Sequence, residues 1–146
     1  MIAIDQLFDE CSFVRSVAKE IFDDQSNGFG YLRIGKFPAG WCGYLSNVLC
    51  VWLGQRFPGE DFFYVCGKFG RQTHAWVKYK NLIIDITADQ FDGCSDPIVI
   101  VESSKSLLHK KFKVEDKPTR KEMADIGYSP DNYIYKKLVE KMDANS

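Results

Sequence analysis

"HAWVKYKNLIIDIT", residues 74 to 87, holds two β-favouring runs parted by the polar pair Lys80-Asn81. His74 to Tyr79 alternates, and Leu82 to Thr87 is apolar almost throughout, which predicts a β-hairpin. With the turn at Lys80-Asn81, residues whose numbers sum to about 161 stand opposite each other. His74 then faces a position near 87, and Asp85 is its diagonal neighbour on the same face. Asp85 interrupts the run Leu82-Ile83-Ile84 and Ile86, and a carboxylate in so apolar a strand needs a partner. A lysine or a backbone amide would serve, but the register favours His74.

Upstream lies "FPAGWCGYLSNVLCVWLG", residues 37 to 54. From Cys42 to about Gln55 the chain is too long and apolar for a strand and meets no turn residue until Gly54, so it reads as a buried helix. That puts Cys42 in the first turn, where free N–H groups and the helix dipole favour a thiolate, the nucleophilic form of cysteine. Gly40 and Gly43 leave room for a carbonyl to approach the backbone, and an N–H of that turn can receive an oxyanion. A cysteine beside a buried helix is also ordinary core filler. The histidine decides between the two readings, because a thiol nucleophile needs a base and imidazole suits that task near neutral pH. Of the two histidines, His74 opens a strand after a polar loop, whereas His109 stands among lysines and reads as surface.

The other segments follow from periodicity. Residues 4 to 23 carry Ile4, Leu7, Phe8, Cys11, Val14, Val17, Ala18 and Ile21 at amphipathic-helix spacing. Residues 24 to 40 form a long polar loop with Tyr31 and Phe37. Phe62 to Phe69 and Ile98 to Val101 read as strands, and 103 to 117 as a helical turn followed by an edge strand. A last helix runs from Asp131, its expected N-cap, to about Met142. Helices, then an antiparallel sheet, then a closing helix make one α+β domain over residues 1–146.

Composition narrows the classes. The 146 residues are 45% hydrophobic, enough for a real core. Nineteen lysines and arginines against 20 acids argue against nucleic acid as a partner, and the Lys105–Lys113 patch reads as a solvated face. No apolar run reaches a membrane span, so no membrane partner is expected. Five cysteines (Cys11, Cys42, Cys50, Cys66 and Cys94) form no CxxC pair and match no zinc module, which argues against a disulfide framework or a metal. Cys50, Cys66 and Cys94 read as structural, with Cys94 the most exposed. The start, MIAIDQLFDE, is acidic where a signal peptide is basic, so the expected location is the cytoplasm, or export without a cleaved signal peptide.

A Gly-flanked cysteine at a helix start, then His74-Ala-Trp-Val opening a strand, then Ile84-Asp-Ile-Thr on the next, resembles the papain-like thiol superfamily and, within it, the transglutaminase-like branch. The likeness covers roughly residues 37 to 101. It implies a papain-like fold, with Cys42 as nucleophile, His74 as base and Asp85 as orienting acid. Transglutaminases carry an aromatic residue just after the nucleophile, whereas here Trp41 precedes Cys42 and Gly43 follows it. The resemblance therefore points to a small peptidase, amidase or glutamine deamidase, as in bacterial effector and toxin domains, more than to a crosslinker. The expected activity is hydrolysis of a protein or peptide amide through a thioester, without cofactor. Acyl transfer on the same site and a catalytically silent adaptor are the alternatives. Gln90 is either an oxyanion donor, as in papain relatives, or a plain loop residue. Trp41 either walls the cleft or packs under the loop, Trp76 reads as core, and Ser46 as a helix-interior hydroxyl.

Overall fold

The computed structural model describes residues 1–33, 35–126 and 130–144; Ile34, inside the expected 24–40 loop, lies outside them. Two long helices come first, α1 (Ile4–Asp23) and α2 (Cys42–Arg56). Strands β1 (Phe63–Phe69), β2 (Gln72–Tyr79), β3 (Leu82–Asp85) and β4 (Val99–Glu102) follow. The short helix α3 (Leu107–Lys110), strand β5 (Lys113–Val114) and helix α4 (Pro130–Ala144) complete the chain. The fold is α+β, with one antiparallel five-stranded sheet in the order β4-β3-β2-β1-β5. Val77 pairs with Ile84, as the hairpin turning at Lys80-Asn81 requires. Lys80 itself takes a left-handed backbone, with φ 53°.

Strand alternation gives the sheet two different faces. Val77, Tyr79, Leu82 and Ile84 join the main core with α1, α2 and α4. There α1 buries Leu7, Cys11, Val14, Val17, Ala18 and Ile21, the stripe its spacing predicted. Helix α2 is buried on most sides, with Leu45, Val48, Leu49 and Leu53 fully enclosed, each such side chain contributing roughly 1.5–3 kcal/mol on transfer from water. The opposite face carries a smaller cluster, Val65, Trp76, Ile83 and Phe112, with Phe91, Val101 and Leu108 against it.

The second cluster depends on Gly67 of β1. A Cβ built there would stand 2.8 Å from the Cβ of Phe112 and 3.3 Å from Trp76, so only glycine lets the 106–114 segment lie this close to the strand. This corrects the surface reading of Lys105–Lys113, since Ser106, His109 and Phe112 are buried while the lysines point outward. Asp131 is also corrected. It lies inside the first turn of α4, after Pro130, and accepts a hydrogen bond from Asn47 Nδ2 at 3.1 Å. Proline suits the first helical position because it has no N–H to satisfy.

Candidate active site

Gly40 has φ +81°, a conformation that glycine adopts freely, and it turns the chain into the start of α2. Trp41 is the N-cap residue and offers no side-chain hydrogen bond, so no side chain caps the first turn that begins at Cys42. The Trp41 indole is fully buried, against Phe22, Phe37 and Tyr44, and its Nε1–H donates to Leu32 O at 3.2 Å. Of its two expected roles, it takes packing under the loop. A Cβ at Gly43 would meet only Tyr64 Oη, at 3.9 Å, so packing does not demand glycine there. Its effect is to keep the site open.

Cys42 is half-buried and, with His74, Gly43, Tyr64 and Cys66, lines a cavity of about 280 Å³ without lysine, arginine or carboxylate in its described walls. Burial pushes the Cys42 thiol up, but a hydrogen bond and the charge from His74, helped by the Ala75 N–H, outweigh it and leave the thiol below its ordinary 9.0. The other four cysteines move the opposite way, each chiefly through burial. Cys50, on the same helix, is pushed up to about 11 and lines a larger cavity of about 460 Å³ that has no imidazole in its described walls. The expectation that Cys94 is the most exposed thiol does not hold. Cys94 is half-buried, and Cys66, paired with Ala75 across β1 and β2, is exposed beside Cys42.

His74 is fully buried, ringed by Phe91 at 4.8 Å, Phe112 at 5.6 Å and Trp76 at 5.7 Å. Its Nε2 lies 2.6 Å from Asp85 Oδ2, so Nδ1 is the ring nitrogen shared between the Cys42 thiol and the Gln90 amide. Burial alone would lower the ring's basicity. Hydrogen bonds and charge from Asp85 and Cys42 overcome this and push its pKa up to about 9. Gln90 sits in the short turn Ala88–Gln90, its amide nitrogen 3.3 Å from His74 Nδ1 and 3.4 Å from Thr87 Oγ1. That turn is anchored by a residue the sequence did not mark. Arg15 of α1 forms a two-pronged pair with Asp89, both bonds 2.8 Å, and also donates to Ile86 O and Pro97 O.

Asp85 accepts four hydrogen bonds. Oδ1 takes the Thr87 N–H at 2.8 Å and the Thr87 hydroxyl at 3.3 Å, while Oδ2 takes His74 and, also at 2.6 Å, His109 Nε2. Burial would raise this carboxyl, but the two imidazoles hold it well below the usual carboxylate range, His109 foremost. His109 is thus a site residue and not the surface residue expected among lysines. The signal lay in its neighbours, since Ser106 caps α3 three residues earlier and Leu108 and Phe112 are apolar.

His74, Asp85 and His109 are also a three-ligand cluster that no sequence spacing announced, with one donor atom from each within 4.8 Å of the others. Their two N···O separations of 2.6 Å are hydrogen-bond lengths. Ligands of one tetrahedral zinc stand about 3.3 Å apart. As arranged, the trio fits shared protons and does not fit a shared cation. No helix among the described residues is long and apolar enough to cross a membrane. No family model matches the chain, nor does any curated protein or solved structure.

Proposed function

We propose that the chain is a cysteine-dependent amide hydrolase, a peptidase or glutamine amidase or deamidase, of papain-like, transglutaminase-like architecture. One observation carries the proposal. Alone among five cysteines, Cys42 has a thiol drawn below its ordinary pKa, and the group that draws it is an imidazole held by a buried carboxylate. Cys42 attacks the amide carbonyl carbon, and the developing oxyanion meets the uncapped N–H groups of the first turn of α2. His74 passes a proton from Nδ1 to the leaving amine or ammonia as the C–N bond breaks, giving a thioester. Water then attacks, with His74 as base, and releases the acid and the thiol. Asp85 stays ionised and fixes the ring. Beyond the Cys42–His74 pair the described cavity walls carry no charged side chain, which favours a neutral amide such as a glutamine side chain or an uncharged peptide segment.

The test is incubation with glutamine-containing peptides, scoring ammonia release against chain cleavage, with and without an added primary amine. Product that disappears in Cys42→Ala while the fold is retained supports the proposal. An active Cys42→Ala protein refutes it, and amine incorporation in place of hydrolysis reassigns the site to acyl transfer.

A further inference from the structure

The Cys42–His74–Asp85 relay does not end at the carboxylate. We infer that His109 is a positioning residue of the same site, donating from Nε2 to Asp85 so that the carboxylate stays aimed at His74, with Ser106 fixing the His109 ring. The inference rests on the proposed thiol chemistry of Cys42 and extends it by two side chains.

The hydrogen bonds assign each proton. His109 Nε2 is 2.6 Å from Asp85 Oδ2, an oxygen that can only accept, so Nε2 carries a hydrogen. Ser106 Oγ is 2.5 Å from His109 Nδ1 and accepts the His109 backbone N–H at 3.2 Å. The Ser106 hydroxyl is placed against Nδ1, which holds the ring with its Nε2–H directed at the carboxylate. Trp76 packs edge-on against the His109 ring at 4.9 Å, so the ring cannot swing off the carboxylate without disturbing the second cluster. The ionisable groups around Asp85 are His74 and His109, with the thiols of Cys42 and Cys94 farther out. A buried carboxylate held by Thr87 on one oxygen and by one imidazole on the other could still pivot. A second imidazole on the same oxygen removes that freedom.

The experiment needs no substrate, because thiolate reactivity reports the relay. Iodoacetamide labelling of Cys42 and Cys66 is followed against pH in wild type, His74→Ala, His109→Asn and His109→Gln. H109N keeps an amide near Ser106 but does not reach Asp85, whereas the longer H109Q presents an N–H near the position of Nε2. H109N should slow Cys42 labelling at pH 6 about tenfold, as expected for one lost hydrogen bond to a charged group, and H109Q should regain most of that rate. A merely structural role would lower the melting temperature of both variants without separating their profiles. An H109N profile equal to wild type, or H109N and H109Q shifted alike, overturns the inference while leaving the relay standing. A His74→Ala profile equal to wild type overturns the relay itself. Should H109N not fold, ¹⁵N-histidine NMR of the wild-type chain, which has two histidines, decides the matter. A bare His109 Nε2 refutes the inference, and a protonated Nε2 whose signal moves in Asp85→Asn supports it.

Discussion

The two faces of the sheet are built on different principles. Toward the helices, Val77, Tyr79, Leu82 and Ile84 meet a large set of aliphatic and aromatic side chains, where each contact is replaceable and stability is spread widely. Toward α3 and β5, four buried hydrophobic residues accompany His74, Asp85 and His109, and the polar atoms of this trio are tied to particular partners, two on each oxygen of Asp85. Buried polar groups are costly unless paired, so this second face is all-or-none where the first is additive. Damage to the first should appear as lost stability, and damage to the second as lost chemistry.

Asp85→Asn is the sharpest way to break that contrast. The amide oxygen can stand in for only one of the two carboxylate oxygens, so its NH2 must confront either the Thr87 N–H and hydroxyl or both imidazole N–H groups. We expect hydrolysis and selective Cys42 labelling to fall by about 10²–10⁴-fold, the scale seen when the orienting acid of other triads is neutralised. Rates within threefold of wild type would show that the second face is not a relay. Leu49→Ala, in the fully buried heart of the first face, should cost roughly 2–5 kcal/mol in denaturant unfolding. At temperatures where it stays folded, its preference for labelling Cys42 over Cys66 should be that of wild type. Loss of that preference would mean the two faces are coupled.

The pH dependence separates the faces without mutation. His74 holds its proton up to about 9 in the fold, against an ordinary 6.5, so its contribution to stability is complete below pH 6.5 and drains away as pH rises through 9. Asp85 runs oppositely: its carboxyl is depressed, so its contribution is present above its ordinary 3.8 and is lost only in strong acid. Turnover should rise as the Cys42 thiolate forms and decline again near pH 9 as His74 deprotonates, while Cys42 keeps its lead over Cys66 on the acid side. A descending limb near 6.5 would mean that Asp85 does not hold His74.

What the sequence disclosed follows the same division. Period-3.6 and period-2 patterns locate α1, α2, β2 and β3, and the hairpin register by itself brings His74 to Asp85. His109 and Arg15 stayed hidden for a physical reason. Each acts through a contact 24 or more residues away in the chain, His109 from a segment whose lysines look like surface and Arg15 from the edge of an amphipathic helix. Periodicity reports which face of its own element a residue occupies and nothing of what folds over that face. Trp41 was undecided for a related reason, since its burial depends on how the 24–40 loop closes above it.

The finest division lies within Asp85 itself. Its Oδ1 is served by Thr87 alone, through a backbone N–H at 2.8 Å and a hydroxyl at 3.3 Å. The N–H is supplied by the fold whatever residue stands at 87, whereas the hydroxyl belongs to the side chain and also receives the Gln90 amide at 3.4 Å. Thr87→Val keeps the shape and the N–H but removes the hydroxyl from a fully buried position. A hydrogen bond to a charged group contributes about 1.5–3 kcal/mol, and at 3.3 Å the hydroxyl contact is long enough to fall below that range, so Cys42 labelling at pH 6 should slow by about two- to fivefold. That is less than the effect of H109N, because the imidazole bond is shorter and lies on the oxygen facing His74. If T87V instead matched or exceeded H109N, the weight of the relay would rest on Oδ1, and the second imidazole would be packing around a carboxylate already fixed from the other side.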